Sequence, residues 1–127
     1  MSPRNKIRLG KKGERVAVQL LKAKQMSIRE LNFRCHLGDV VGEVDIIAED
    51  KGDVIVFVEV KTRSNENYGS PEEAVGYSKQ KKLVQLAMHY LQKERLEDRF
   101  CRFDVISIIM KNNKIERVDH IVDAFSA

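Results

Sequence analysis

The sequence predicts a single α/β domain in which a mixed five-stranded sheet is flanked by helices. Stretches with helical periodicity alternate with apolar stretches typical of strands, in the order helix, three strands, helix, two strands. A chain of 127 residues with 43% hydrophobic residues is long enough to bury one core. We therefore expect one domain over residues 1–127, with residues 1–9 as a flexible basic N-terminus.

The first helix is predicted over about residues 10–24. Glu14 lies about one turn before Ala17 and Val18, so it opens the inward-facing side of this helix. Two interpretations stay open: a carboxylate that reaches a functional site, or a charge that favours the helix N-terminus. The apolar stripe of the helix consists of Val16, Ala17, Leu20 and Leu21.

A first strand is predicted over residues 27–35, followed by an antiparallel hairpin. The hairpin strands are the apolar run ending at Ala48 and the run over residues 54–58, with a polar, glycine-containing turn between them. The second run is apolar at consecutive positions, which is typical of a central strand covered on both faces. A pivot near Lys51-Gly52 would place Asp45 directly across from Val58.

Charged residues occupy positions where this hairpin would ordinarily carry apolar side chains. Glu59 and Lys61 leave the same face of one strand, and Asp45 on the other strand lies diagonal to Glu59. The two carboxylates could bridge one divalent ion, with the carbonyl of Val60 as a further ligand. Mg²⁺ prefers such oxygen ligands, and a neighbouring lysine can orient an attacking hydroxide or contact a phosphate. The alternative is that Glu59 and Lys61 mark a solvated sheet edge.

After this strand, residues 62–69 are expected to form a loop beside the site, and a second helix is expected to end near Arg95. The sequence Ser70-Pro71-Glu72-Glu73 has the pattern of a capping box and predicts where this helix begins. Lys79 lies four residues before Leu83, close to the buried face, and is expected to reach toward a phosphate. The buried stripe consists of Leu83, Leu86, Ala87, Tyr90 and Leu91.

The last two strands are predicted over residues 100–110 and 114–122, around a tight turn at Asn112-Asn113 that tolerates positive φ. Asp104 is expected to pair with a basic residue inside the sheet. His120 has no cysteine or histidine at ligand spacing, so we expect a packed or hydrogen-bonded histidine.

The charge distribution indicates a polyanionic partner. The net charge is +4, but residues 1–41 carry 10 Lys/Arg against 3 Asp/Glu, whereas residues 42–59 carry 1 against 6. An acidic patch in a basic surround is typical of a protein that binds phosphates and a metal, although a solvated surface can also produce such blocks. Candidate nucleic-acid contacts are Lys11, Lys12, Arg15, Arg34, Arg63, Tyr68 and Lys79. Arg34 could instead pair with a carboxylate, and Tyr68 could be a packing residue.

The composition also bears on whether the protein is a membrane protein and on the role of its cysteines. The sequence has no apolar run of transmembrane length, and its basic N-terminus leads into no apolar signal core, so we expect a soluble cytoplasmic protein without a membrane partner. Cys35 and Cys101 are the two cysteines, and they lack metal-binding spacing. We expect both to be buried thiols.

The spacing D-x13-E-x-K, from Asp45 to Glu59-Val60-Lys61, resembles the PD-(D/E)xK motif of nucleases, with Val44 where the motif has proline. A wider set of residues is similar to the YraN family of small bacterial proteins, itself related in fold to archaeal Holliday-junction resolvases. The resemblance covers nearly the whole chain. Its residues are Gly13-Glu14, Asn32-Phe33-Arg34, Gly42-Glu43-Val44-Asp45, Phe57-Val58-Glu59-Val60-Lys61, Arg63, Tyr68-Gly69, Lys79, Ala87, Phe103-Asp104, His120-Ile121 and Ala124-Phe125.

The resemblance implies a restriction-endonuclease-like core and a metal-dependent endonuclease. Asp45 and Glu59 would hold Mg²⁺ or Mn²⁺, Glu14 would assist as its counterpart does in resolvase-like nucleases, and Lys61 would position the water. The expected substrate is DNA rather than RNA, with branched or damaged DNA as candidates and a homodimer as a candidate assembly. The alternative is a non-catalytic nucleic-acid-binding or scaffolding module that retains the nuclease fold.

Overall fold

The computed structural model of the chain describes residues 3–64 and 75–126. These residues form two helices and five strands, in the predicted order of helix, three strands, helix and two strands. The elements are α1 (Pro3–Ala23), β1 (Ser27–Leu37), β2 (Val40–Asp50), β3 (Val54–Arg63), α2 (Tyr77–Lys93), β4 (Cys101–Lys111) and β5 (Lys114–Phe125).

The five strands form one mixed sheet with the spatial order β1-β2-β3-β4-β5. All neighbouring strands are antiparallel except β3 and β4, which are parallel. A parallel pair needs a long crossover connection, and α2 lies in the segment that joins these two strands. The predicted mixed sheet flanked by helices is therefore confirmed, with β3 at its centre.

The helices cover opposite faces of the sheet, which explains why β3 is apolar at consecutive positions. Phe57 packs in the cluster on the α2 face, where its ring meets Tyr90 edge to face at a centroid distance of 6.0 Å. Its neighbour Val56 packs on the other face, against Ala17 and Leu21 of α1. Burying each such side chain contributes about 1.5–3 kcal/mol. The apolar stripes predicted for both helices are confirmed.

Both helices begin at other residues than the sequence pattern predicted. Helix α1 begins at Pro3 rather than near residue 10, because proline at the first helical position gives up a backbone N–H that would have no intrahelical partner. The predicted flexibility of residues 1–9 stays a prediction. Helix α2 begins at Tyr77, after Gly76 in extended conformation as N-cap. The predicted capping box at residues 70–73 lies outside the described residues.

The register of the β2–β3 hairpin differs by one position from the prediction. Ile46, not Asp45, lies across from Val58. The turn contains three residues, Lys51–Asp53, and is therefore centred on Gly52, where φ is +77°, instead of between residues 51 and 52. The other predicted tight turn is confirmed, since Asn112 and Asn113 have φ of 52° and 62°.

The sheet splits at the end of this hairpin, and we call this split the fork. The pairing of β2 with β3 ends at Ile46 and Val58, whereas β2 continues beside β1 as far as Val40 and β3 continues beside β4 as far as Arg63. The regular alternation of β2 side chains between the two faces of the sheet also breaks here. Val44 packs on the α2 face and Ile46 on the α1 face, although a regular strand would direct both to one side. Asp45, between them, lies at the fork.

The predicted pairing of Asp104 inside the sheet is confirmed. Its carboxylate accepts hydrogen bonds from Arg102, from the backbone N–H of Asp123 and from His120, whose Nε2 lies 2.8 Å away. Burial acts to raise the pKa of Asp104, but the hydrogen bonds from His120, Arg102 and Asp123 outweigh it and hold the pKa below its ordinary value. His120, 4% exposed, is the hydrogen-bonded histidine that the sequence predicted.

Helix α1 approaches β3 closely at Gly13. A Cβ atom on Gly13 would overlap Oγ1 of Thr62, so only glycine fits at the present separation of helix and strand. Gly10, on the same helix, has open space where its Cβ would be. The close approach at Gly13 brings the next residue, Glu14, to the neighbourhood of the fork.

We expect Gly13→Ala to lower the free energy of unfolding by about 1–3 kcal/mol, because the added methyl group must push α1 away from Thr62. The matched substitution Gly10→Ala should raise it by about 0.5–1 kcal/mol through helix propensity alone. Urea denaturation of both variants measures the difference. Equal stabilities of the Gly13→Ala and Gly10→Ala variants would contradict close packing at Gly13. Adding Thr62→Ala to Gly13→Ala should recover part of the lost free energy of unfolding.

Candidate functional site

Asp45 joins the two arms of the fork through its side chain. Its Oδ2 accepts a hydrogen bond of 2.8 Å from the backbone N–H of Val60, two positions beyond the last pair of the β2–β3 ladder. The side chains of Asp45 and Glu59 line the same pocket. The two predicted metal ligands therefore lie at the same place in the fold.

Glu59 is a buried carboxylate on the α2 side of the fork. It is 5% exposed, and its Oε1 lies 2.5 Å from Nζ of Lys79 on α2. Its Oε2 is buried without a hydrogen-bond partner. Both Asp45 and Glu59 line a pocket of about 410 Å³ that also takes in Lys79 and Lys82. The predicted position of Lys79 beside the site agrees with this geometry.

Glu14 and Glu43 approach Asp45 as well. One carboxylate oxygen from each of these three residues lies within 4.8 Å of the others. Asn32 donates from Nδ2 to Oε1 of Glu14 at 2.6 Å, and Nε of Arg34 lies 3.5 Å from Oε1 of Glu43. Glu14 lies beside the fork and not at the helix N-terminus, since α1 begins eleven residues earlier. A metal-binding role of Glu14 stays a prediction.

The accumulation of carboxylates perturbs the ionisation of Asp45. Burial first, and then the negative charges of Glu59 and Glu43, raise the pKa of Asp45 to about 8, although the hydrogen bond from Val60 works in the opposite direction. Burial disfavours the charged form of Lys79, but the hydrogen bond and the charge of Glu59 outweigh it and raise the pKa of Lys79. The fork is thus a place where negative charge is repelled and positive charge is attracted.

The remaining predicted site residues, Lys61 as a catalytic residue and Val60 as a metal ligand, lie on β3. Lys61 is two residues beyond Glu59, opposite Ser107 of β4, and it is partly exposed. Val60 directs its N–H to Asp45, while a metal-binding role of its carbonyl stays a prediction.

The candidate nucleic-acid contacts fall into two groups. Lys11 and Arg15 are exposed on α1, and the side chain of Arg34 is 78% exposed although it pairs with Glu43. Arg63 is 8% exposed and donates to Oγ of Ser107, so its side chain is held within the protein. Lys12, partly buried, donates to the carbonyl of Asn113. Tyr68 lies outside the described residues.

Two residues of the site were not predicted from the sequence: Glu43 and Asn32. The spacing of Glu43, two residues before Asp45, was the available signal for it, since alternate residues of a strand share a face. Asn32 has a φ of +52°, a left-handed conformation that asparagine tolerates, and its amide holds Glu14. Asparagine in an otherwise strand-like segment was the signal for this special backbone position.

These features define the class of protein: an α/β domain with a forked mixed sheet and clustered carboxylates at the fork. The model of uncharacterised protein family UPF0102 matches residues 13–108. The chain belongs to the UPF0102 family, and the predicted membership of the YraN family is thereby confirmed.

Relatives in several bacteria span nearly the same length. A UPF0102 protein of Geotalea uraniireducens is 46% identical over 117 residues, covering 92% of this chain and 88% of that protein. One of Caldanaerobacter subterraneus is 42% identical over 123 residues (95% and 97%), and one of Geobacter metallireducens is 46% identical over 125 residues (98% and 97%).

No helix among the described residues is long and apolar enough to cross a bilayer. Cys35 and Cys101 are free thiols, only partly buried.

We expect Asp45→Asn to raise the free energy of unfolding in the presence of a chelator, and to do so increasingly as the pH rises. Because the pKa of Asp45 is raised from 3.8 to about 8, the folded wild type keeps a proton that the unfolded chain releases, so its stability falls between these pH values. The maximal slope is about 1.4 kcal/mol per pH unit, and asparagine can still accept the hydrogen bond from Val60.

Urea denaturation of both proteins at pH 4 to 8 with EDTA measures this effect. The gap between the curves should be smallest at pH 4 and largest near pH 8. Curves that stay parallel over the whole range would mean that burial and neighbouring charges do not raise the pKa of Asp45.

Proposed function

We propose that the protein is a metal-dependent endonuclease that hydrolyses phosphodiester bonds of DNA, with Asp45, Glu59 and Glu14 as metal ligands. The single observation that carries the proposal is the buried Oε2 of Glu59, which has no hydrogen-bond partner and lies in the same pocket as Asp45. A buried carboxylate oxygen without a donor costs free energy, and a cation would remove that cost. The pocket has room for one beside a substrate group.

The donor set fits Mg²⁺ or Mn²⁺. All the candidate ligands are carboxylate oxygens, which hard divalent cations prefer to nitrogen or sulfur. The repulsion that raises the pKa of Asp45 would turn into attraction in the presence of such a cation. When bound, the ion would supply stabilisation of the negative charge that develops on the phosphate.

The protein residues supply binding and orientation. Lys61, on the same strand as Glu59, would hold the attacking water or contact the scissile phosphate, and its partial exposure permits either role. Lys79 balances the charge of Glu59 and, with a side chain about half exposed, can also turn toward a phosphate. Lys82 on the pocket wall, together with the exposed Lys11 and Arg15 on α1, would contact the nucleic-acid backbone.

The finer fold assignment belongs to the same proposal. A helix, an antiparallel three-stranded unit, a crossover helix and a fourth strand parallel to β3 are the arrangement expected of a restriction-endonuclease-like core. The resemblance to the PD-(D/E)xK motif implies carboxylates that share one site, and Asp45 and Glu59 line one pocket where β2 and β3 separate. DNA is the proposed substrate, in the cytoplasm, with branched or damaged forms as candidates and a homodimer as the candidate assembly.

We expect Lys61→Ala to reduce metal-dependent cleavage about 100-fold or more while leaving the fold intact, because the lysine acts on the water or the phosphate and not in the core. Lys51→Ala, in the exposed turn between β2 and β3, is the matched control and should cleave as the wild type does. The assay uses Mg²⁺ or Mn²⁺ with duplex, single-stranded and four-way-junction DNA and with RNA, and circular dichroism checks the fold of both variants.

The competing function is a nucleic-acid-binding or scaffolding module without chemistry. It predicts binding that weakens with salt according to the number of phosphate contacts, and that depends neither on divalent ions nor on Asp45. If no substrate of the panel is cleaved, and Asp45→Asn binds neither Mn²⁺ nor DNA differently from the wild type, the nuclease proposal fails and this alternative replaces it.

A further inference from the structure

We propose that Lys24 is an acylation site, where its amine takes an acyl group from an acyl phosphate or a thioester and His120 acts as the base. Hydrogen bonds link the three side chains of this site, Lys24, His120 and Asp104. They lie in the turn after α1, on β5 and on β4, and none of them belongs to the fork. The inference therefore goes beyond the proposed nuclease function and does not rest on it.

The hydrogen bonds fix the position of the proton on His120. An ammonium group can only donate, so Nζ of Lys24, 2.6 Å from Nδ1 of His120, makes Nδ1 an acceptor without a proton. The ring proton is therefore on Nε2, which donates to Oδ2 of Asp104 at 2.8 Å. Asp104 accepts it as a carboxylate, because burial, which acts to raise its pKa, is outweighed by its hydrogen bonds.

This order of groups is the one that activates a nucleophile. Enzymes with serine, cysteine or threonine nucleophiles place a base within hydrogen-bond reach of the nucleophile and orient the base with a third group. Lys24 provides the nucleophile here, and Nδ1 of His120 provides the base. Asp104 fixes the ring and stabilises the imidazolium that forms when the proton is transferred.

The burial of the three groups suits a modification site. The side chains of Asp104 and His120 are 0% and 4% exposed, so water does not compete for the hydrogen bond between them. Lys24 is exposed, and a reagent in solution can reach its Nζ. The base and its orienting group are thus held in place while the amine stays accessible.

The surroundings of His120 on β5 favour an apolar acyl group. Val118 and Val122 lie two positions on either side of His120, and alternate residues of a strand share a face. These two valines are 36% and 51% exposed. They offer a short acyl chain an apolar surface beside the amine of Lys24.

The reaction conserves atoms and charge. Nδ1 of His120 takes one proton from the ammonium group, and the lone pair of Nζ attacks the acyl carbon. A C–N bond forms, and the bond from the acyl carbon to the phosphate oxygen or to the thioester sulfur breaks. The leaving phosphate or thiol takes a second proton from the nitrogen, and His120 releases its proton to solvent. The product is an amide, and the positive charge of Lys24 is lost.

Incubation of the full-length protein with acetyl phosphate, and separately with acetyl-coenzyme A, followed by mass spectrometry of its peptides, measures the acetylation rate of each lysine. We expect Lys24 to react at least about tenfold faster than Lys22, an exposed lysine in the last turn of α1, since a positioned base contributes about 10²–10⁴-fold. The donor with the larger excess identifies which activated acyl group the site takes.

His120→Gln separates a base from a structural partner. Glutamine can still donate to Asp104 but cannot take a proton from an amine, so this variant should acetylate Lys24 no faster than Lys22. His36→Gln, at an exposed histidine of β1, is the matched control and should keep the wild-type excess. Circular dichroism checks the fold of both variants.

Equal rates for Lys24 and Lys22 in the wild type with both donors, or an excess that survives in His120→Gln, would overturn the inference. If His120→Gln does not fold, the wild type unfolded in guanidinium chloride takes its place. The excess must disappear in the unfolded chain, and its persistence there would trace it to the local sequence and refute the role of His120. DNA cleavage, present or absent, leaves these outcomes unchanged.

Discussion

The hydrogen bond from the Val60 N–H to Oδ2 of Asp45 is the contact on which the site depends. Beyond Ile46 and Val58, β2 and β3 no longer pair, and the backbone groups that face the gap need other partners. The Asp45 carboxylate provides one such partner and spans the gap with a side chain. An apolar residue at position 45 would leave the Val60 N–H unpaired, while continued strand pairing would close the space that the pocket occupies.

Holding several carboxylates close together at the fork is electrostatically unfavourable. Burial and the neighbouring charges of Glu59 and Glu43 make ionised Asp45 unfavourable at neutral pH, which explains its raised pKa. Lys79 offsets part of the negative charge, since its ammonium group lies beside the buried Glu59. The divalent ion that we propose would remove both the repulsion and the unmet hydrogen-bonding capacity at once.

Helix packing on both faces keeps the fork in place. Glycine at position 13 lets α1 come against Thr62 of β3 and thereby brings Glu14 to the cluster. On the other face, a Cβ on Gly42 would lie 3.0 Å from Leu86 of α2, so β2 and α2 are also in close contact where the strand enters the fork. Two small residues thus set the distances between the sheet and the helices that carry Glu14 and Lys79.

Four features could be predicted from the sequence alone: the order of the elements, the apolar stripes of both helices, the central position of β3 and the pair of carboxylates at positions 45 and 59. They follow from local periodicity and short-range turn chemistry. Tertiary structure decided the one-residue register of the hairpin, the partnership of Glu43 and Asn32 with the site, and the burial of Arg63. The register depends on which residue centres a three-residue turn, and a single position of error exchanges Asp45 for Ile46. Contacts between Glu14, Asn32 and Glu43 join α1, β1 and β2 across a split sheet, and the geometry of that split arises only when all three elements pack together.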